Sequence, residues 1–376
     1  MLGMILAAVA NTAVAQSSVT LFGVIDLALS YQYNGSPGGN SRLGLQQGNE
    51  GFLSGSRFGL KGSEDMGEGW KTGFVLENGF LANNGKLDQQ GQLFGRQAFV
   101  KLGHDRYGEI ALGRQYTTGN TMLYYVDPLG VGAAPSNSWQ VYMVGQRYDN
   151  AFSYTGKVGP WQVIAEYAAG GIMGDRSARS STSFGLRYTD DALTAVSSLQ
   201  QTHDTQSRRA RVFLAGVMVP IGDAKLFANY IHSERDAGFD SSDGGTDFAS
   251  ITSMSSGAPS APVAINSVFE QRRRDNFFTL GASYRVTPAW LLTLSMMASH
   301  TTANGFTGTR KTWYGVADYR LSKRTDVYVA TAYEKVNGGW SGLFGNSTTN
   351  ANMAAGQMLN GKNDQFSALV GLRHFF

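Results

Sequence analysis

Residues 278–285 read Phe278-Thr279-Leu280-Gly281-Ala282-Ser283-Tyr284-Arg285, with every second side chain apolar. In an extended strand successive side chains point to opposite faces. Phe278, Leu280, Ala282 and Tyr284 therefore share one face, and Thr279, Gly281, Ser283 and Arg285 the other. Such a strand lies between two different media. The same period recurs outward from this point. Phe184, Leu186 and Tyr188 alternate with Ser183, Gly185, Arg187 and Thr189. Phe58 and Leu60 oppose Arg57, Gly59 and Lys61, and Trp70, Phe74 and Leu76 oppose Lys71, Gly73 and Glu77. At the carboxyl end Ala368, Val370, Leu372 and His374 oppose Ser367, Gly371 and Arg373 and lead to Phe376. Val212-Phe213-Leu214 and Leu291-Leu292-Thr293-Leu294 are apolar on both faces, as expected of wall packed against an inserted loop or another subunit.

The breaks between these segments set the topology. Short ones fall at 64–67, 104–107, 159–160, 190–191, 220–222, 287–288 and 322–324, all with turn residues or charges. Long ones, rich in Gly, Ser, Asn and Asp, fall near 35–53, 83–93, 115–146, 171–181, 236–274, 303–309 and 337–364, with a tighter break at 205–207. About 16 strands follow, with short turns on one side and long loops on the other, the pattern of an antiparallel transmembrane β-barrel. In hydrocarbon every backbone N–H and C=O must be paired, so the sheet has to close on itself. A barrel this wide cannot be filled by side chains and leaves a water channel. Tyr31, Tyr33, Trp70, Trp161, Tyr188, Trp290, Tyr319 and Tyr333 lie near strand ends and suit two interfacial girdles.

Composition excludes other classes. Among 376 residues Gly numbers 48, and charged residues make up 16% against about 25% in globular chains. The 44 aromatics (21 Phe, 17 Tyr, 6 Trp) exclude a disordered chain. With Cys at 0 there is no disulfide framework, thiolate metal site or thiol nucleophile. A net charge of +3 is too small and dispersed for a nucleic-acid binder. After residue 15 no apolar run approaches the 18 or so residues of a membrane helix. A soluble sandwich would also alternate, but it rarely needs loops of about 30–40 residues on one side only.

The first residues, MLGMILAAVA, are followed by Ala13-Val14-Ala15, an A-x-A site. This reads as a secretory signal, 1–15, cleaved before Gln16, with 16–376 as the barrel. No Lys or Arg precedes the apolar stretch, so a basic segment is expected upstream of the stated start.

Several segments resemble the general-diffusion porins of Gram-negative outer membranes, in the β-proteobacterial subgroup of Neisseria, Bordetella and Burkholderia. They are Ser17-Ser18-Val19-Thr20-Leu21-Phe22-Gly23, Ser56-Arg57-Phe58-Gly59-Leu60-Lys61-Gly62-Ser63-Glu64-Asp65-Met66-Gly67-Glu68-Gly69, Arg96-Gln97-Ala98-Phe99-Val100 and Leu112-Gly113-Arg114-Gln115-Tyr116. Arg147-Tyr148-Asp149-Asn150, Tyr319-Arg320-Leu321-Ser322-Lys323-Arg324-Thr325 and the end Val370-Gly371-Leu372-Arg373-His374-Phe375-Phe376 continue the series. The resemblance implies a 16-stranded all-β barrel, a homotrimer, and a third loop (115–146) folded into the lumen as a constriction. It also implies residence in the outer membrane with its lipid and lipopolysaccharide. The terminal Phe376 resembles the signal read by the barrel-assembly machinery.

By the same resemblance an arginine ladder maps to Arg57, Arg114 and Arg147. Alternation independently turns Arg57 and Lys61 inward. Strict parity groups Arg114 with Ile110 and Leu112, so a bulge is needed to bring it inward. Between Gln115 and Gln146 the sole charged residue is Asp127. Three arginines and Lys61 then face Asp127 and Glu77, an excess that a narrow site focuses in favour of anions. The expected cargo is small hydrophilic solutes and anions moving by passive diffusion. Tyr116, Tyr124, Tyr125 and Trp139 offer an aromatic line for a specific substrate or, more simply, packing of loop on wall.

No catalytic set, cofactor or metal site is expected. The five histidines lack ligand spacing, and Gly85-Lys86, Gly156-Lys157 and Gly361-Lys362 lack the phosphate-loop continuation. Asp236, Asp240, Asp243 and Asp247 lack EF-hand spacing. Arg272-Arg273-Arg274, at the foot of a long loop, reads as a solvated face or a contact to lipopolysaccharide phosphates.

Overall fold

The computed structural model describes residues 18–34, 40–47, 53–132, 140–141, 143–239, 271–341 and 363–376. The signal segment 1–15 lies outside the described residues. The strands are β1 (Ser18–Tyr33), β2 (Arg42–Gln47), β3 (Arg57–Gly67), β4 (Trp70–Leu81), β5 (Lys86–Leu87), β6 (Gln97–His104), β7 (Gly108–Tyr116), β8 (Arg147–Val158) and β9 (Trp161–Ala168). They continue as β10 (Ser181–Thr189), β11 (Thr194–His203), β12 (Arg209–Ile221), β13 (Ala224–Arg235), β14 (Arg273–Arg285), β15 (Trp290–Ala303), β16 (Phe306–Arg320), β17 (Thr325–Gly338) and β18 (Asp364–Phe375). One helix, α1 (Thr118–Tyr124), follows β7.

Each spanning strand pairs antiparallel with its sequence neighbour, and β1 pairs with β18 from Val24↔Phe375 to Tyr33↔Phe366. β2 continues the β3 side of the β1 ladder, and β5 is a two-residue ladder against the end of β4. Sixteen strands thus close a barrel with no free edge, as backbone in hydrocarbon requires.

Burial follows the alternation. On β14 Thr279 and Ser283 are buried while Phe278 and Leu280 are exposed. On β11 Ser198 and Gln200 are buried while Leu199 is 59% exposed. An inside-out distribution of this kind is stable only when the outer face meets lipid. Aromatic pairs mark the rim bounded by the short turns: Trp161 with Tyr188 (4.9 Å between ring centroids), Trp290 with Tyr319 (4.8 Å) and Trp70 with His104 (4.9 Å). Trp313 with Tyr333 lies toward the other rim (5.9 Å).

Three segment boundaries differ from the sequence expectation. Glu64 and Asp65 remain in the β3–β4 ladder, opposite Thr72 and Lys71; the chain reverses at Gly67, Glu68 and Gly69, all at positive φ. The break expected at 303–309 is a tight turn, with Ala303 opposite Phe306 and Gly305 at φ 68°. The break at 35–53 contains β2. Beyond the lipid both faces of a strand can be polar, so the alternation fades while the hydrogen-bond ladder continues.

The doubly apolar stretch Val212-Phe213-Leu214 has its explanation. Val212 and Leu214 are buried in one cluster with Met122, Leu123, Val126, Val144 and Ile231, so the segment beginning at α1 packs on this wall. In Leu291-Leu292-Thr293-Leu294, by contrast, Leu292 and Leu294 are exposed outward.

Candidate permeation site

Glu77 on β4 is 3% exposed and collects cations from two segments. Arg96, just before β6, donates from Nε to Glu77 Oε1 at 2.7 Å. Arg57, at the start of β3, brings its Nε to 3.2 Å of the same oxygen, and Gln97 donates to Oε2 at 2.6 Å. A second group joins through Tyr116 at the end of β7. Its hydroxyl accepts from Arg96 Nη2 at 2.8 Å, and the Arg147 guanidinium carbon lies 4.9 Å from its ring centroid. Three guanidiniums, Arg57, Arg96 and Arg147, thus surround one carboxylate and one phenol. At Glu77 itself two guanidiniums share one carboxylate, and Arg147 joins the cluster through the Tyr116 ring. Arg57 keeps 29% of its side chain exposed, whereas the Arg96 side chain keeps 9%.

The remaining expected residues are distributed as follows. Lys61 shares the Arg57 face of β3, and its Nζ lies 5.5 Å from the Phe22 ring centroid. A ladder irregularity does occur between Gly113 and Gln115, with Gly113 at φ 133°. Arg114 nevertheless sits opposite Ala98, donating to the Gly95 carbonyl at 2.7 Å and to Asp149 Oδ1 at 2.6 Å. Gln115 is the buried residue of that pair, and Ser153 donates to it at 2.7 Å. Asp127 is 2% exposed, and its carboxylate accepts from Leu129 N, Val131 N and Gln140 Nε2. These contacts anchor the turn that follows α1.

Arg96 had no assigned role in the sequence. It precedes the β6 alternation, so parity carries no information about it; only the fold shows that its neighbour is Glu77. Tyr116, considered only for loop packing or an aromatic line, bridges Arg96 and Arg147.

α1 is fixed to the wall strands by specific contacts. Thr117 caps it by accepting from Asn120 N at 3.0 Å. Glu166 on β9 accepts from Thr118 N (2.9 Å), Thr118 Oγ1 (3.0 Å) and Ser183 Oγ (3.0 Å). Three glycines make room for the segment. A Cβ on Gly185 would meet Thr118 and Met122, one on Gly216 would meet Val126, and one on Gly281 would meet Pro128. Among the described residues no group of three or more His, Asp or Glu is placed to hold a metal ion.

A Gram-negative porin family model matches residues 3–339. The chain belongs to that family. The porin is 36% identical over 169 residues to an outer membrane porin protein of Bordetella pertussis, covering 40% of this chain and 42% of that one. It is 38% identical over 144 residues to outer membrane porin protein 32 of Delftia acidovorans, covering 38% and 39%. The chain thus spans about two fifths of the length of these curated relatives. Among solved structures, an anion-selective porin from Comamonas acidovorans superposes with a TM-score of 0.73 at 23% identity, covering 96% of this porin and all of that chain. A trimer form of Vibrio cholerae OmpT superposes with a TM-score of 0.62 at 13% identity, covering 96% and 99%. These two likenesses concern the fold. Family membership places the porin in the outer membrane.

Proposed function

We propose that the porin is a water-filled channel for passive diffusion of small hydrophilic solutes and ions, with a preference for anions. The observation that carries this reading is the gathering of the Arg57, Arg96 and Arg147 guanidiniums around the Glu77 carboxylate and the Tyr116 phenol. In a narrow aqueous site with low-dielectric walls the field of such a cluster is focused along the path, raising the local concentration of anions and lowering that of cations. Guanidiniums suit the task because they stay charged at every working pH and present several donors to an oxyanion. Salt bridges and ring stacking hold them in place, so a passing ion meets a preset field and leaves without chain rearrangement. The likeness to an anion-selective porin supports the same direction.

The loop 115–146 is assigned to the lumen as the constriction. The seating of α1, Val126 and Pro128 over Gly185, Gly216 and Gly281 supports this. Arg57 and Lys61 face the path opposite it, and Glu77, Arg96 and Arg147 stand buried behind them. Arg114 and Asp127 hold the local backbone. A homotrimer is the assigned assembly, in keeping with the trimer form among the structural neighbours. Outer-membrane lipid and lipopolysaccharide are its surroundings, and Phe376 is read as the signal for the barrel-assembly machinery.

The test is the reversal potential of the purified protein in planar bilayers under a potassium chloride gradient. A potential toward the chloride value is expected; one toward the potassium value refutes the preference. Absence of conductance from correctly folded protein refutes the channel.

A further inference from the structure

Resting on that channel reading, we propose that the mouth bounded by the short turns carries a second anion site. It is a cationic arc of Lys157, Arg187, Lys225 and Arg285 that binds multiply charged oxyanions such as pyrophosphate. Each of these residues lies within two positions of the turn-side end of its strand, on β8, β10, β13 and β14. Each shares parity with buried, inward residues of that strand: Lys157 with Ser153, Arg187 with Ser183, Lys225 with Asn229, and Arg285 with Ser283. Lys157, Gln162 and Arg187 are direct cross-strand neighbours, so two cations stand about 10 Å apart on adjacent rungs. Lys225 pairs with Ser283, which places it diagonal to Arg285.

The four cations of the arc are not neutralised by direct ion pairs. Among the described residues none of the four has a carboxylate within ion-pair distance, in contrast with Arg57, Arg96, Arg273, Arg310 and Arg373. Inward carboxylates near the arc include Glu109, Glu166 and Asp275; Glu109 on β7, opposite Thr155 and so diagonal to Lys157, is engaged by Lys101 at 2.8 Å. Glu166 is engaged by Thr118 and Ser183, and Asp275 by Arg273 and Thr301 at the long-loop end. In the adjoining turns Asp190 is engaged by the Tyr188 hydroxyl and two backbone amides, and Asp191 and Asp223 form no described ion pair.

Arg187 is oriented for a ligand. Its guanidinium carbon lies 3.9 Å from the centroid of Tyr125, the residue that ends α1, so one face is covered and the edge is left for donation. Its Nε–H, a donor an oxyanion can accept from, is buried without a hydrogen-bond partner. Unpartnered buried polar atoms are costly unless a ligand or water completes them. A monovalent anion gains little from four separated charges. An anion with several charges gains from each, so the site discriminates by valence.

The experiment records single full-length channels in chloride with inorganic pyrophosphate on one side. Channels insert in either orientation, so recordings divide into a strongly blocked and a weakly blocked class. The variant Lys157→Gln/Arg187→Gln/Lys225→Gln/Arg285→Gln raises the half-blocking concentration of the strong class by about tenfold and merges the classes, because focusing scales with the removed charge. The charge-preserving variant Lys157→Arg/Arg187→Lys/Lys225→Arg/Arg285→Lys retains both. Gel migration before and after heating verifies folding of each variant. If the fourfold Gln variant does not fold, the pair Arg187→Gln/Arg285→Gln is read in the same way. Equal block of parent and Gln variant overturns the arc while an anion-directed reversal potential leaves the channel reading intact. Cation preference in the parent overturns both.

Discussion

Phe376 and Gly23 seal the barrel. Their backbones exchange hydrogen bonds of 2.9 and 3.1 Å, and the Phe376 ring occupies the place a Cβ on residue 23 would need. The last residue of the chain thus pairs with the first strand, and glycine at 23 lets the ring lie flat against it.

Gly23→Ala drives a methyl into the ring and to 2.7 Å from the Arg57 carbonyl oxygen. Overpacking of this kind costs about 1–3 kcal/mol. The expected outcome is a lower temperature for the gel-mobility shift of the folded barrel. Phe376→Ala relieves the contact and keeps the backbone pair, so the double variant recovers part of the loss. Identical melting of parent and Gly23→Ala would contradict the seam.

Arg96→Gln removes one of the three cluster guanidiniums. A unit charge about 7 Å from an ion in water interacts by about 0.6 kcal/mol, with opposite sign for anions and cations. The anion-to-cation permeability ratio then falls by up to about sevenfold before salt screening reduces the effect. Glu77→Gln shifts the ratio the other way and weakens folding, since Arg96 and Arg57 lose their shared partner. Bilayer reversal potentials measure both; an unmoved ratio in Arg96→Gln removes that residue from the path.

Glu166→Ala deprives Thr118 N, Thr118 Oγ1 and Ser183 Oγ of their buried acceptor. Each donor left unsatisfied costs about 1–3 kcal/mol. α1 loosens, and open-channel current noise rises while the barrel stays folded. Gly216→Val, which pushes on Val126, produces the same noise from the other side of the segment. Quiet channels in both variants would show that α1 is held by other contacts.

Asp175 joins the 171–180 loop to the tighter turn at 204–208: it accepts from Ser177 Oγ and N, Ala178 N and Ser207 Oγ. These donors hold its carboxyl down to about 2, well under the ordinary carboxylate value. A depressed folded value stabilises the loop contact at and above the unfolded value of about 4, and that contribution is lost as pH falls toward the folded one. Pepsin cleavage near 171–180, normalised to an unstructured peptide, is therefore slow at pH 4, accelerates as pH falls toward about 2 and levels off below it. Asp175→Ala cleaves fast throughout. A flat profile in the parent would disprove the carboxylate clasp.

Much of the barrel is legible because two media act on each strand. Phe278 to Arg285 must alternate wherever lipid touches one face and water the other, so parity alone predicts the inward turn of Arg57. Legibility stops where one of those media is missing. The turn near Gly67 and the continuation of β15 into β16 lie beyond the lipid, and the ladder there leaves no mark in hydropathy. Arg114 illustrates a different limit: an irregularity in the ladder exists, but the partner waiting for the side chain is Asp149.

The candidate site divides in the same way. Arg57 and Glu77 are readable as inward residues of neighbouring strands, whereas Arg96 lies outside any periodic segment. That Asp127, the lone acid of its loop, accepts from Leu129 N and Val131 N is likewise visible only once the turn has formed.

By itself the sequence determined a sealed, antiparallel wall with a wet interior, because strand parity and the need to pair every backbone group in lipid are local and periodic requirements. Only the tertiary structure decided which cations share Glu77, where α1 rests and which charges stay without a partner. Those outcomes depend on residues brought together across strand registers and through glycine-sized gaps, and no spacing along the chain encodes them.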